Sequence, residues 1–154
     1  MPHMDSHVFS TDVERFGPGK VVYLWLSPGI PLPQLPFERP FRAMVISELH
    51  PGPARQTSIC EWLAESGCRY MMAWGTEASS WDDSMDWVAL ERTGYAVDVA
   101  SDDFIVTTWH RDEPLSDVFD FASRLAKHPT LNLEDLLVLH LAHRPDPKRA
   151  FRGC

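Results

Sequence analysis

Short runs of consecutive apolar residues alternate along this chain with segments whose apolar residues recur every three or four positions. The runs predict strands at Phe41 to Ser47 (FRAMVIS), Arg69 to Trp74 (RYMMAW), Asp103 to Trp109 (DFIVTTW) and Leu136 to Leu141 (LLVLHL). The last is near-continuously apolar, the pattern of a strand covered on both faces. Lys20 to Leu26 (KVVYLWL) has the same β-branched and aromatic content and reads as an additional strand.

The helical spacing lies between the runs. Arg55 to Ser66 places Ile59, Trp62 and Leu63 on one side and stops at Gly67, a residue that tolerates a left-handed helix end. Ser80 to Arg92 carries Trp81, Met85 and Val88 at i, i+4 and i+7 and closes at Gly94. Behind Pro114, an apt first-turn residue, Leu115, Val118, Phe119, Ala122 and Leu125 form an apolar stripe that ends at Lys127 and His128, before Pro129.

Strands joined by helices imply right-handed crossovers and a mainly parallel sheet with helices on its faces. The expected fold is a small three-layer Rossmann-like α/β sandwich with four to five strands. One domain is expected in all: an N-terminal strand and Pro-rich connector over 1–40, an α/β core over 41–143, and a flexible basic tail over 144–154. The connector is assigned because residues 27–40 hold five prolines, which neither helix nor central strand accommodates.

Composition narrows the function classes. A net charge of −8 argues against a nucleic-acid partner, since phosphate binding needs a basic face. No apolar run approaches the roughly 18 residues of a membrane span, and the amino terminus has no basic-then-apolar leader, so the chain reads as cytoplasmic. Cys60, Cys68 and Cys154 are odd in number and lack C-x-x-C spacing, which points to neither a disulfide framework nor structural zinc.

Candidate chemistry concentrates where strands end, because parallel α/β sheets bind ligands beyond the carboxyl ends of their strands. Those ends carry Glu48 and His50; Gly75, Thr76 and Glu77; His110, Arg111 and Asp112; and His143. Trp74, Gly75, Thr76, Ser80, Trp109 and His110 are the expected ligand-binding residues, with Trp74 and Trp109 lining one flat pocket. Ser80-Trp81-Asp82-Asp83 fits a capping box, which accounts for two aspartates without a substrate. Asp82, Asp83 and Asp86 nonetheless share a helix edge at spacing that could hold a hard cation. The alternative, enzymatic reading uses Asp82 and Asp86 as donors to a divalent metal and His110 with Asp83 as the catalytic pair of a small hydrolase or transferase. His140, inside the last strand, reads as a packed or hydrogen-bonded histidine, and Asp112 as the cap of the following helix.

Several motifs are excluded. His110-Arg111-Asp112 lacks the asparagine a kinase catalytic loop needs, since Asp117 stands there. No G-x-G-x-x-G follows a strand, and HPGPA at 50–54 is no substitute, so no dinucleotide cofactor is expected. No G-x-S-x-G elbow is present.

Y-M-M-A-W-G at 70–75, S-S-W-D-D-S-M-D-W at 79–87, T-T-W-H at 107–110 with E-P-L at 113–115, and L-x-L-H at 137–140 together resemble an uncharacterised bacterial family of small domains of unknown function. The resemblance spans about 41–143 and implies a bacterial source and a compact single domain, with no activity to transfer. The leading expectation is therefore a non-catalytic module that binds a protein or a small molecule through the edge bearing Trp74, Gly75, Trp109 and His110. Self-assembly through Trp25 and the Pro-rich segment is a further expectation.

Overall fold

The computed structural model describes residues 8–11, 19–95 and 101–150, with side chains over 19–95 and 102–148. The strands are β1 (Val8–Thr11), β2 (Val21–Leu26), β3 (Phe41–Ser47), β4 (Cys68–Gly75), β5 (Val106–His110) and β6 (Asp135–Leu141). The helices are α1 (Pro53–Ser66), α2 (Ala78–Arg92), α3 (Leu115–Arg124) and the short α4 (Pro147–Ala150). All six strands form one sheet in the order β1-β2-β6-β3-β4-β5. Strands β2 to β6 run parallel, and β1 pairs antiparallel to β2 at the edge. This is a small Rossmann-like α/β sandwich; β1 is the addition that sequence patterning did not foresee.

Every residue of β3 and β6 is buried, because helices cover both faces of the central sheet. On one face Ala43, Val45, Met71, Ala73, Leu137 and Leu139 share a core with Ile59 and Leu63 of α1 and Trp81 and Met85 of α2. On the other, Met44, Ile46, Tyr70, Met72, Leu136 and Val138 meet Leu115, Val118, Phe119 and Ala122 of α3. Each such fully buried aliphatic contributes about 1.5–3 kcal/mol relative to exposure.

The sheet order comes from one crossover. From β3 the chain steps outward through α1 to β4 and through α2 to β5, then returns by α3 on the opposite face and inserts β6 between β3 and β2. The polar residues inside this core fix that insertion. Asp135, buried at the start of β6, accepts from Lys20 N–H at 2.9 Å and from the Arg39 fork, Nε to Oδ2 and Nη2 to Oδ1, both at 3.0 Å. Arg42 crosses beneath α3 and donates to Ala122 O, near the helix's negative end, and to Glu134 O at 2.9 Å.

The Pro-rich connector is extended, as its composition dictates, but it is part of the core. Ile30, Leu32, Leu35 and Phe37 pack on the α1 face. Its carbonyls accept from side chains: Pro33 O from Trp62 Nε1 at 2.8 Å, Pro36 O from Lys20 Nζ at 2.7 Å, and Ile30 O from Arg55. Trp25 donates to Ala142 O at 2.8 Å. The groups expected to mediate assembly are thus engaged within the chain. Part of the tail is also held, by α4 and by Asp146 N–H donating to the Tyr23 hydroxyl at 2.9 Å.

Helix starts differ from expectation. α2 begins at Ala78 behind Glu77, whose left-handed φ of 50° ends the preceding turn, and no side chain caps it. Ser80 therefore lies within the first turn, its hydroxyl donating to Glu77 O at 2.7 Å, and no capping box with Asp83 forms. Asp112 is left-handed (φ 60°) and stands before Pro114, which occupies the cap position of α3. That helix ends at Arg124, leaving Leu125, counted in the apolar stripe, 64% exposed. The predicted end of α1 is correct: Gly67 at φ 109° donates to Ala64 O at 3.2 Å.

Candidate functional site

The strand order reverses between β3 and β6: the chain steps from β3 outward to β5, then returns across the opposite face and lays β6 on the other side of β3, which makes this the topological switch point. A pocket of about 270 Å³ opens there, at the carboxyl ends of β2, β3 and β6. Its walls are Leu26 and the start of the connector, Leu49, His50 and Pro51 from the β3–α1 loop, Arg55 from α1, and Leu141 and His143 from the end of β6.

Local chemistry fixes the loop that carries His50. Gly52, at φ 92°, turns the chain into α1 and donates its N–H to His50 Nδ1 at 3.1 Å. Nδ1 is thereby an acceptor, so Nε2 is the protonated nitrogen of the neutral ring. Nε2 is buried without a hydrogen-bond partner among the described residues, and Glu77 Oε2 stands 3.9 Å away. Arg55 donates to Ile30 O and has no carboxylate partner among the described residues.

On the α3 side of the same rim, a buried polar chain ties the pocket's loops together. Asp146 N–H donates to Tyr23 Oη, which donates to His140 Nδ1 at 2.6 Å, and His140 Nε2 donates to Glu48 Oε1 at 2.5 Å. Burial pushes the Tyr23 hydroxyl up to about 12, so it stays protonated and can donate. Glu48 adjoins Leu49 and His50, and Asp146 follows His143, so this chain spans the two loops that form the pocket mouth. His140 is indeed a hydrogen-bonded core histidine.

The residues singled out by sequence fall in other places. Trp74 packs toward α3, its indole N–H donating to Glu113 O at 2.8 Å. Trp109 pairs with Ala73, one residue out of phase, so it leaves the opposite face and is 45% exposed. The sheet separates the two tryptophans, and they do not line one pocket. Gly75 has φ 106°, and a Cβ there would come within 2.4 Å of Ser47 O, so glycine is required by backbone approach. Thr76 N–H donates to that same carbonyl at 2.7 Å. Ser80 contacts Gln56 of α1 at 3.3 Å.

His110 is buried on the α3 face. Its Nε2 meets the Thr108 hydroxyl at 3.0 Å, its Nδ1 meets Glu113 Oε1 at 3.2 Å, and its ring lies edge-on to Phe121 at 4.9 Å. Asp82, Asp83 and Asp86 belong to α2 on the other face, so His110 and Asp83 are not brought together as a catalytic pair. Asp86 Oδ1 accepts from Thr107 at 3.3 Å and lines a separate hollow of about 420 Å³ with Leu90, Phe104 and Val106. Desolvation there, and then the Asp82 charge, push its carboxyl above the usual value. Among the described residues no group of three His, Cys, Asp or Glu side chains converges as a metal donor set. No helix among them is long and apolar enough to cross a membrane.

Sequence reasoning named His50 and His143 as strand-end residues but could not show that they share a pocket. The missed contributors are Arg55 and the connector. Their signal was positional only: Arg55 sits at the start of the helix after β3, and Ser27 to Gly29 follow β2.

Fold and pocket together define a doubly wound α/β domain with a small cleft at its switch point. The model of the family described as Domain of unknown function (DUF7684) matches residues 21–152, and the chain belongs to that family. The match begins at β2 and extends beyond β6, so it takes in the Pro-rich segment and most of the tail and is wider than the 41–143 span of the resemblance. No curated protein and no solved structure matches the sequence.

Proposed function

We propose that this domain is a non-catalytic binding module whose site is the switch-point pocket bounded by β2, β3 and β6. The observation that carries the reading is the pocket's position and lining: apolar walls from Leu26, Leu49 and Leu141, with His50, Arg55 and His143 as the convergent polar groups. Its volume of about 270 Å³ suits a small molecule.

The surrounding chemistry supports binding over catalysis. His110 and His140 each have both ring nitrogens engaged, which leaves neither free to serve as a base. Burial pushes the Cys60 and Cys68 thiols up to about 12, far from thiolate reactivity.

A thermal-shift and ligand-observed NMR screen of small fragments tests the reading, run on the intact chain and on Ser27→Phe, which fills the pocket wall. Fragments should stabilise the parent and lose binding in the variant. Hits indifferent to Ser27→Phe, or no hits, would defeat the reading.

A second reading, a protein partner along β5, is favoured by one observation. Among the described residues β5 pairs only with β4, and exposed Trp109, Phe104 and Leu90 flank it, an open edge suited to strand addition. Capture of a partner from the native host, lost in Trp109→Ala, would support it over the pocket.

A further inference from the structure

We infer that the ligand of the switch-point pocket bears an anionic head, a carboxylate or a phosphate, on a short apolar body, and that Arg55 is its principal contact; this rests on the pocket being the binding site.

The argument starts from a contrast of charge. The chain as a whole carries −8, yet the side chains lining this pocket include no carboxylate. They include one permanent cation, Arg55, and two imidazoles, His50 and His143. A lining whose one permanent charge is a guanidinium, in a protein of net charge −8, is not explained by solubility, which needs only net charge.

Arg55 is held short of full use. It donates to the Ile30 carbonyl, and a guanidinium offers five N–H donors, so most of its capacity is not consumed by that bond. A planar fork of this kind matches carboxylate and phosphate oxygens better than any neutral group. The tie to Ile30 also limits its freedom, which lowers the ordering cost when an anion arrives.

His50 adds a donor at the pocket wall. Its tautomer is set by Gly52 N–H at Nδ1, which leaves Nε2–H buried and without a hydrogen-bond partner among the described residues. Such a donor is costly to bury unless an acceptor meets it. Glu77 Oε2, 3.9 Å away and on a side chain 64% exposed, is too distant to be a hydrogen-bond acceptor. His143, exposed at the mouth, adds a further ring nitrogen to the lining. The apolar body of the ligand would lie on Leu26, Leu49 and Leu141.

Heteronuclear NMR titration of the full chain with hexanoate, butyl phosphate, inorganic phosphate, hexanamide and hexylamine tests this. Hexanoate or butyl phosphate should shift the amides of Leu49, His50, Arg55 and Leu141, and whichever binds more tightly identifies the head group. Hexanamide and hexylamine should bind at least about tenfold more weakly, the scale of one charge-assisted hydrogen bond. Arg55→Gln should weaken the favoured anion about tenfold while leaving hexanamide unchanged, and Arg55→Lys should recover part of the loss. His143→Ala, at an exposed site, should weaken anions without altering the fold.

Equal binding of the amide or amine, or an Arg55→Gln effect shared by all probes, would overturn the anion inference while the pocket reading stands. Shifts by inorganic phosphate alone, with no gain from the butyl chain, would overturn the apolar half. If no probe shifts these amides, both the inference and the pocket reading fail.

Discussion

Two rims of the same sheet are built on opposite plans. At the β3/β6 switch point the strands are wholly buried, the loops are locked by Tyr23, His140 and Glu48, and the pocket between them is lined without a carboxylate. At the β5 end the strand lies on the sheet's edge, its aromatic neighbours Trp109 and Phe104 are exposed, and Asp86 and Asp103 line the adjacent hollow. The tryptophan- and aspartate-rich motifs belong to the second rim, whereas the switch-point pocket belongs to the first. Conspicuous side chains mark where a sequence is unusual; strand order decides where loops converge.

The sharpest way to break this contrast is to cut each rim once. His140→Ala removes the hydrogen bonds to the Tyr23 hydroxyl and Glu48 and opens a cavity, so it should cost about 3–4 kcal/mol in urea unfolding. Trp109→Ala, at a half-exposed position, should cost no more than about 1 kcal/mol. Comparable losses at the two sites would erase the distinction between a locked rim and an open one.

A smaller effect is expected at the opposite end of the central strands. Burial would raise the Asp135 carboxyl, but the Arg39 fork and Lys20 N–H outweigh it and hold it below its usual value. A carboxylate depressed in the folded state contributes stability that is complete above its unfolded value and disappears as pH falls through the folded one. Asp135→Asn should therefore lose about 1–3 kcal/mol at pH 7, discounted because Arg39 is half-exposed, and the difference should close as pH falls through the lowered folded value.

The smallest effect should have the opposite sign. The Asp86 carboxyl is raised above the ordinary 3.8, mainly by desolvation, so its ionised form is disfavoured in the folded state. Stability then falls as pH rises from 3.8 through the raised value, and the cost persists at neutrality. Asp86→Asn should raise the Tm slightly at pH 7 and leave it unchanged at pH 3. A lowered Tm at pH 7 would mean that the Thr107 bond outweighs desolvation, making the β5 rim better satisfied than its geometry indicates.

Much of the fold was legible because burial on two faces writes itself as uninterrupted apolar runs, as in LLVLHL, and because Gly67 announces a helix end. The start of α2 was not legible: Ser80 fits a capping box, but Glu77 adopts the left-handed conformation and the helix begins two residues earlier. The pairing of Trp74 with Trp109 failed for a different reason. Which faces they occupy depends on the register that sets Ala73 against Trp109, a non-local fact that no single segment contains. His50 and His143 were identified as strand-end residues, yet their meeting depends on β6 inserting beside β3. The connector read as a linker because prolines forbid regular structure; that its carbonyls would be taken up by Trp62, Arg55 and Lys20 was invisible locally.

The insertion of β6 also orders events in time. During synthesis β2 and β3 leave the ribosome long before the segment that joins them, and Val21 and Arg42 both wait for Leu136. Until then the nascent chain presents two unpaired parallel edges and a pocket with only part of its wall. Neither a finished sheet nor a fully walled switch-point pocket can exist before the last strand has emerged, so closing the sheet and closing the cavity become a single late step.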